Sequence, residues 1–288
     1  MLDGTDTQLD PGPPPESPAV RSAGRRARMT TGDKVRFGLR GVGQTLITLG
    51  LVTLLFVVYE VWITNIFAHW RQEKVHTQLE QAWQDGIDPL ALPGGNQSGI
   101  PIGEGIANIY IPRFGRDYHF TVVQGTDDAS LSKGPGHYVG TALPGEVGNF
   151  GVAGHRVGKG EPFLNLDHLR PGDAVIIQTK TQWFVYRVIG NVDKGEAGLS
   201  WQDLNGVPGR EIVDPSAGRV LAPWPDKPGS PAPPTYNRYM TMTTCHPKFT
   251  AAQRMIVHAQ LDATLTTASI GPSQMPASIQ ALYSAPGL

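Results

Sequence analysis

The sequence predicts a mainly β protein, a closed or sandwiched barrel of short strands behind a single N-terminal membrane-spanning helix. Three observations predict it. The 288 residues include 35 Gly and 25 Pro, a turn-rich composition that favours strands joined by tight loops over a helical bundle. Between residues 103 and 263, short runs rich in β-branched and aromatic residues alternate with turn signals. Ahead of them, residues 45–67 form an apolar stretch with basic residues crowded on its N-terminal side only.

The first 20 residues are rich in Pro and Asp and carry no hydrophobic period, so they read as a disordered tail. Arg21, Arg25, Arg26, Arg28, Lys34, Arg36 and Arg40 follow, opposed only by Asp33. The apolar stretch TLITLGLVTLLFVVYEVWITNIF comes next. As a helix rising ~1.5 Å per residue it reaches roughly 34 Å, enough for a hydrocarbon core of ~30 Å. A carboxylate at the bilayer centre is costly, so Glu60 is expected at an interface beside Tyr59 and Trp62. The positive-inside rule then makes residues 1–43 a cytoplasmic tail, 44–68 a signal-anchor helix and the remainder extracytoplasmic. A buried core helix is opposed by the length and one-sided charge of the stretch. A cleaved signal peptide is opposed by the long preceding segment and the lack of an A-x-A site after it.

Residues 71–84 (RQEKVHTQLEQAWQ) predict a short helical stem and 92–99 (LPGGNQSG) a turn-rich linker, so 69–102 reads as stem and linker. In the module at 103–263 the predicted strands are 106–111, 118–123, 149–153, 174–178, 183–192, 219–221, 239–244 and 255–261. Helical turns are predicted at 129–133 and 163–169. A Pro-rich excursion covers 195–235, and 264–288 is a Ser-, Thr-, Ala- and Pro-containing tail with little pattern. About eight short strands with few helices give the barrel or sandwich, read as antiparallel.

A formal net charge of −1 leaves no nucleic-acid footprint on the whole chain. No Walker or dinucleotide glycine motif is present, and His and carboxylate residues are not spaced as a zinc set, so no cofactor or metal is expected. Loop carboxylates such as Glu161, Asp167 and Asp173 leave a calcium requirement open. The informative residue is Cys245, the only cysteine, held outside the cell by the predicted topology. Exported cysteines are usually paired, and this one has no partner in its chain. It ends one predicted strand, and Arg254 opens the next after a short connection. His155 ends a strand far upstream, after Gly154. These residue types suit acyl transfer. A thiolate attacks a carbonyl, an imidazole moves the proton, and a guanidinium donates to the oxyanion. His137 is the second choice for the acid/base role or a lining residue of the groove. His246 is poorly aimed, because successive strand side chains point to opposite faces. Two other readings stand beside this one. The barrel could be a membrane-tethered, non-catalytic module that binds peptide or wall components, or Cys245 could bridge two chains.

Thr243-Thr244-Cys245-His246-Pro247, with Arg254 nine positions beyond the cysteine, resembles the sortases, membrane-anchored cysteine transpeptidases of Gram-positive bacteria. Gly134-Pro135-Gly136-His137-Tyr138, Thr141-Ala142-Leu143-Pro144-Gly145, Gly148-Asn149-Phe150 and Ala153-Gly154-His155-Arg156 fit the family pattern in the right order. The blocks look most like class E, with class D second, and span residues 106–262. The resemblance implies an eight-stranded sortase-type β-barrel and cleavage of a Leu-Ala-x-Thr-Gly or Leu-Pro-x-Thr-Gly sorting signal between Thr and Gly. It implies secreted proteins as donors and a peptidoglycan precursor or pilin amine as acceptor. It assigns Cys245 as nucleophile, His155 as acid/base and Arg254 as oxyanion donor, with Thr244 helping to position substrate.

Overall fold

The computed structural model describes residues 31–59, 64–91, 99–190, 202–230, 238–269, 271 and 274–284. The chain divides into two units, residues 1–53 and 54–288. Over its described residues the first unit is helical, the greater part of α1 (Thr31–Val58). Residues Lys34–Val58 of this helix are long and apolar enough to cross a membrane, and none of that stretch is buried. The helix thus begins well before the expected start at residue 44, because Lys34, Arg36 and Arg40 are good helix formers that extend it. The rest of the expected span to 68 includes residues 60–63, outside the described residues, and the first turn of α2 (Thr64–Gln84).

The second unit holds the β structure. In chain order it contains β1 (Gly105–Tyr110), β2 (His119–Gln124), α3 (Asp128–Leu131), β3 (Gly136–His137), β4 (Gly148–Ala153), β5 (Ala174–Gln178) and β6 (Gln182–Val188). Next come β7 (Arg210–Val213), β8 (Arg238–His246), β9 (Gln253–Leu261), β10 (Thr267–Ala268) and α4 (Ala277–Gln280). The order β6-β5-β1-β2-β3-β4-β8-β9 returns to β6 through a β6–β9 pairing, which closes an eight-stranded barrel. Outside that ring β7 adds to β9 and β10 to β6.

The barrel is mixed rather than antiparallel: β2 runs parallel to β3, and β4 parallel to β8. Each parallel pair needs a crossover, supplied by α3 for the first and by the whole β5–β7 segment for the second. Residues 219–221, read as a strand, form a 3₁₀ turn (Gly218–Leu221). The strand of that region is β7, whose Arg210, Glu211, Ile212 and Val213 lie along β9. The predicted hairpin of β5 and β6 is present, although residues 191 and 192 lie outside the described residues.

Strand alternation explains why these segments look continuously apolar. Val175 and Ile177 of β5 and Phe184, Tyr186 and Val188 of β6 fill the barrel interior. Ala174, Ile176, Trp183 and Val185 face outward, yet they too are buried, beneath Ile279 of α4. The C-terminal segment therefore roofs the outer face of β5 and β6. On β1 and β2 the roof is α2. Gln72 imitates a strand there, accepting from Thr121 N (3.1 Å) and donating to Thr121 O (3.3 Å). Below it, Thr121 Oγ1 donates to Asn108 Oδ1 (2.7 Å) and Asn108 Nδ2 to Gln178 Oε1 (3.2 Å), so the buried polar groups are satisfied.

Ile279 is fully buried against Trp183 and Val185. Ile279→Ala is expected to lower stability by about 2–5 kcal/mol, as truncation of a buried aliphatic side chain does. Denaturant unfolding of the full-length protein in detergent, followed by tryptophan fluorescence, checks this; an unchanged midpoint would show that the C-terminal segment is not part of the fold's core.

Candidate active site

Met240 and Met242 of β8 and Met255 and Val257 of β9 point into the barrel. Alternation therefore sends Thr241, Thr243 and Cys245 outward, together with the residues directly opposite them. Cys245 is paired with Arg254 in the β8–β9 register. Residues so opposed carry their Cβ atoms ~4.5–5.5 Å apart on one face. The preceding outward residues are buried, Thr243 at 4% and Ile256 at 1% exposure, whereas Cys245 and Arg254 are partly exposed. The shared face thus opens to solvent where the two strands end.

The third residue arrives from β4. Phe150 and Val152 lie inside the barrel, and Ala153 is paired with Thr243. Gly154 N donates to Thr243 O (3.0 Å) and Thr244 Oγ1 to Gly154 O (2.7 Å). The last parallel pair is Ala153 with Thr243, so His155 lies two residues beyond the end of β4 and Cys245 two residues beyond Thr243 on β8. Position 154 admits only glycine: a Cβ there would lie 2.5 Å from the ring of Phe163, which is fully buried. Phe163 N in turn donates to His155 O (3.0 Å), fixing the chain just beyond Gly154.

His155 is partly buried, and its Nε2 is a buried atom with no hydrogen-bond partner among the described residues. Burial pushes its pKa below the ordinary imidazole value, and the Lys159 charge pushes the same way against the opposing pull of Asp128. Arg254 Nη1 donates to the carbonyls of Ala251 (3.1 Å) and Gln253 (3.0 Å), which anchors one arm of the guanidinium to the β8–β9 connection. A partly exposed thiol opposed to an anchored guanidinium, with an unpaired imidazole nitrogen two residues past the end of β4, suits nucleophilic acyl transfer.

A family model described as the sortase domain matches residues 109–262, more than half of the chain. The chain belongs to the sortase family. It is 32% identical over 255 residues to Sortase SrtE1 of Streptomyces coelicolor, covering 86% of this chain and 64% of that relative, so less than two thirds of the relative's length is spanned. Identity to Sortase SrtE2 of the same organism is 30% over 245 residues, covering 83% and 87% of the two chains. Among solved structures, SrtF sortase from Corynebacterium diphtheriae superposes with a TM-score of 0.55 at 40% identity, over 62% of this chain and 94% of that one.

Two residues expected at the substrate site of this sortase are buried. His137 is completely buried in β3; its Nδ1 meets Gln124 Oε1 at 2.7 Å and its Nε2 lies 3.0 Å from Thr141 Oγ1. Burial brings its pKa down to about 4, which favours the neutral ring. Thr244 points away from the Cys245 face, is 2% exposed, and spends its hydroxyl on Gly154 O. The threonine on the cysteine's face is Thr243, whose hydroxyl lies 2.9 Å from that of Tyr138. His246 is turned from the thiol, as strand alternation requires, and its Nδ1 accepts from Arg156 (3.0 Å).

Sequence reasoning gave Arg156 no role, although the Ala153-Gly154-His155-Arg156 block contained it. A buried arginine directly after the candidate acid/base was the available signal. Glu211, Asp226 and His258 bring ligand-type atoms within 4.8 Å of one another. The guanidinium of Arg219 bridges both carboxylates and supplies the positive charge between them.

His155 is expected to titrate below the ordinary ~6.5 of an imidazole. Lys159→Gln removes a charge that disfavours the imidazolium and should raise its pKa; Asp128→Asn should lower it. Ring-proton NMR across mildly acidic pH checks both signs, and no movement in either variant would refute this account of the site's electrostatics.

Proposed function

We propose that this sortase is an extracytoplasmic cysteine transpeptidase that cleaves a Leu-Ala-x-Thr-Gly or Leu-Pro-x-Thr-Gly sorting signal between Thr and Gly. The observation that supports it best is the register that pairs Cys245 with Arg254 beside the end of β4. The Cys245 thiolate attacks the threonine carbonyl carbon, and the resulting oxyanion takes hydrogen bonds from Arg254, which stays charged at any working pH. Collapse breaks the Thr–Gly bond, and the departing glycine amine takes the proton of the His155 imidazolium. The acyl group rests on Cys245 as a thioester. An incoming amine from a peptidoglycan precursor or a pilin then attacks, loses its proton to His155, and expels the thiolate.

Burial of His155 favours the neutral ring. The thiolate–imidazolium pair is then the minor form of the singly protonated pair whenever cysteine has the higher pKa. The rate follows that singly protonated population, so its acid limb lies below the ordinary imidazole value. The basic residues before and in the first turns of α1 support a cytoplasmic N-terminus by the positive-inside rule, with residues 103–263 read as the catalytic module outside and secreted proteins as donors.

Incubation of full-length protein with both peptide types, followed by intact-mass spectrometry, tests the assignment. The wild type should gain the peptide's acyl mass on Cys245 and release the fragment beginning at glycine; Cys245→Ala should do neither. Turnover by Cys245→Ala would refute the cysteine mechanism. Peptide binding that survives in that variant, with no product from the wild type, would instead indicate a binding module. A covalent dimer as the main species on non-reducing gels would indicate an interchain bridge.

A further inference from the structure

The guanidinium of Arg156 is 3% exposed and lies beneath the strand end that carries Cys245. Its Nη1 donates to the backbone carbonyl of Cys245 itself (3.3 Å) and to His246 Nδ1 (3.0 Å). Its Nη2 lies 3.0 Å from Asp167 Oδ2. A buried charge is costly unless paired, and Asp167 is the pairing carboxylate. Burial alone would raise the Asp167 pKa, but Arg156, with Lys248 assisting, outweighs it and holds the group ionised. The base of this pair is rigid. Asp167 belongs to a 3₁₀ turn (Leu166–His168) whose Leu166 is fully buried, and the Asp167 carbonyl accepts from Arg210 Nη1 (2.8 Å).

From these contacts we infer that Arg156 is a positioning residue that fixes the main chain of Cys245 against the segment carrying His155. The inference rests on the transpeptidase reading above and identifies what holds its nucleophile in place. Arg156 is covalently next to His155, so one guanidinium ties the imidazole's chain, the cysteine's carbonyl and the 3₁₀ turn into a single unit. Only arginine serves, because three acceptors lie around one planar fork and a lysine ammonium is a point charge that cannot match it. The contact also fixes a tautomer. A guanidinium can only donate, so His246 Nδ1 carries the lone pair and its proton resides on Nε2. A proton added at Nδ1 would set donor against donor and open the clamp.

The test uses full-length protein in detergent micelles: wild type, Arg156→Ala, Arg156→Lys and Asp167→Asn. The readouts are kcat and KM for the sorting peptide, the rate of Cys245 alkylation by iodoacetamide, the thermal midpoint, and the ¹⁵N shifts of His246. Misplacement of a reacting group by ~1 Å costs up to ~100-fold. Arg156→Ala is therefore expected to lose at least about tenfold in kcat with KM within about twofold. Arg156→Lys should recover only part of that loss, and Asp167→Asn should show a smaller one. Iodoacetamide needs no orientation, so alkylation should stay near the wild-type rate. His246 should show an unprotonated Nδ1 in the wild type and lose that preference in Arg156→Ala.

Wild-type kcat in a folded Arg156→Ala or Arg156→Lys variant would overturn the inference. So would losses of acylation and alkylation that fall together with the thermal midpoint, since that is the mark of a merely structural residue. If Arg156→Ala fails to fold, the Lys and Asn variants decide by the same criteria. If the wild type itself forms no adduct, the transpeptidase reading fails, and the His246 shifts still decide whether the clamp exists.

Discussion

The candidate site depends on one constraint, the pairing of β8 with both of its neighbours. Antiparallel pairing with β9 sets Cys245 opposite Arg254, and parallel pairing with β4 brings the chain of His155 alongside. Side chains alternate along a strand, so a slip of one residue in either ladder would send one partner to the opposite face. The register is held by the core. Met240, Met242, Met255 and Val257 occupy the interior, and moving any of them outward would expose apolar surface. Core packing and the geometry of the candidate site are thus consequences of the same ladder.

The site lies on the outside of the barrel, where a soluble protein has most difficulty keeping strands dry. Elsewhere the described outer face is roofed: by α2 over β1 and β2, by α4 over β5 and β6, and by β7 with Val213 and Val220 against Ile256 of β9. The roof stops where β8 and β9 end. Cys245 and Arg254 lie there, partly exposed, on strands that are buried two residues further in, at Thr243 and Ile256. Arg156 and Asp167 complete the arrangement from below, as an ion pair anchored in a turn rather than in the sheet. The strand end gives the thiol both access and a paired frame.

Much of this was legible in the sequence because the relevant signals are local. The β5–β6 hairpin follows from two β-rich runs around a short polar turn, and β8 and β9 follow from theirs. Gly154 was expected as a turn residue, whereas the reason for glycine there is close approach of the Phe163 ring, nine residues downstream. What was missed depends on tertiary pairing. The two residues of β3 have no strand signal of their own and pair only because β2 and β4 flank them. Residues 219–221 look like a strand but carry Arg219 against Glu211 and Asp226, and a 3₁₀ turn puts it there. His137 and Thr244 read as site residues because they sit in the motif blocks. Thr244 is turned from Cys245 by the same strand alternation that turns His246 from it, and His137 is buried in β3. Arg156 was hidden for the complementary reason: its partners are a backbone carbonyl and a residue of a separate turn.

The register itself can be measured by making position 254 a second thiol. Cysteines at directly opposed strand positions have Cα atoms within the range a disulfide accepts. In full-length Arg254→Cys under mild oxidant, intact mass after alkylation should show one intramolecular disulfide and no free thiol. Two alkylated thiols, or disulfide-linked dimers in place of the internal bridge, would contradict the pairing on which the site is built.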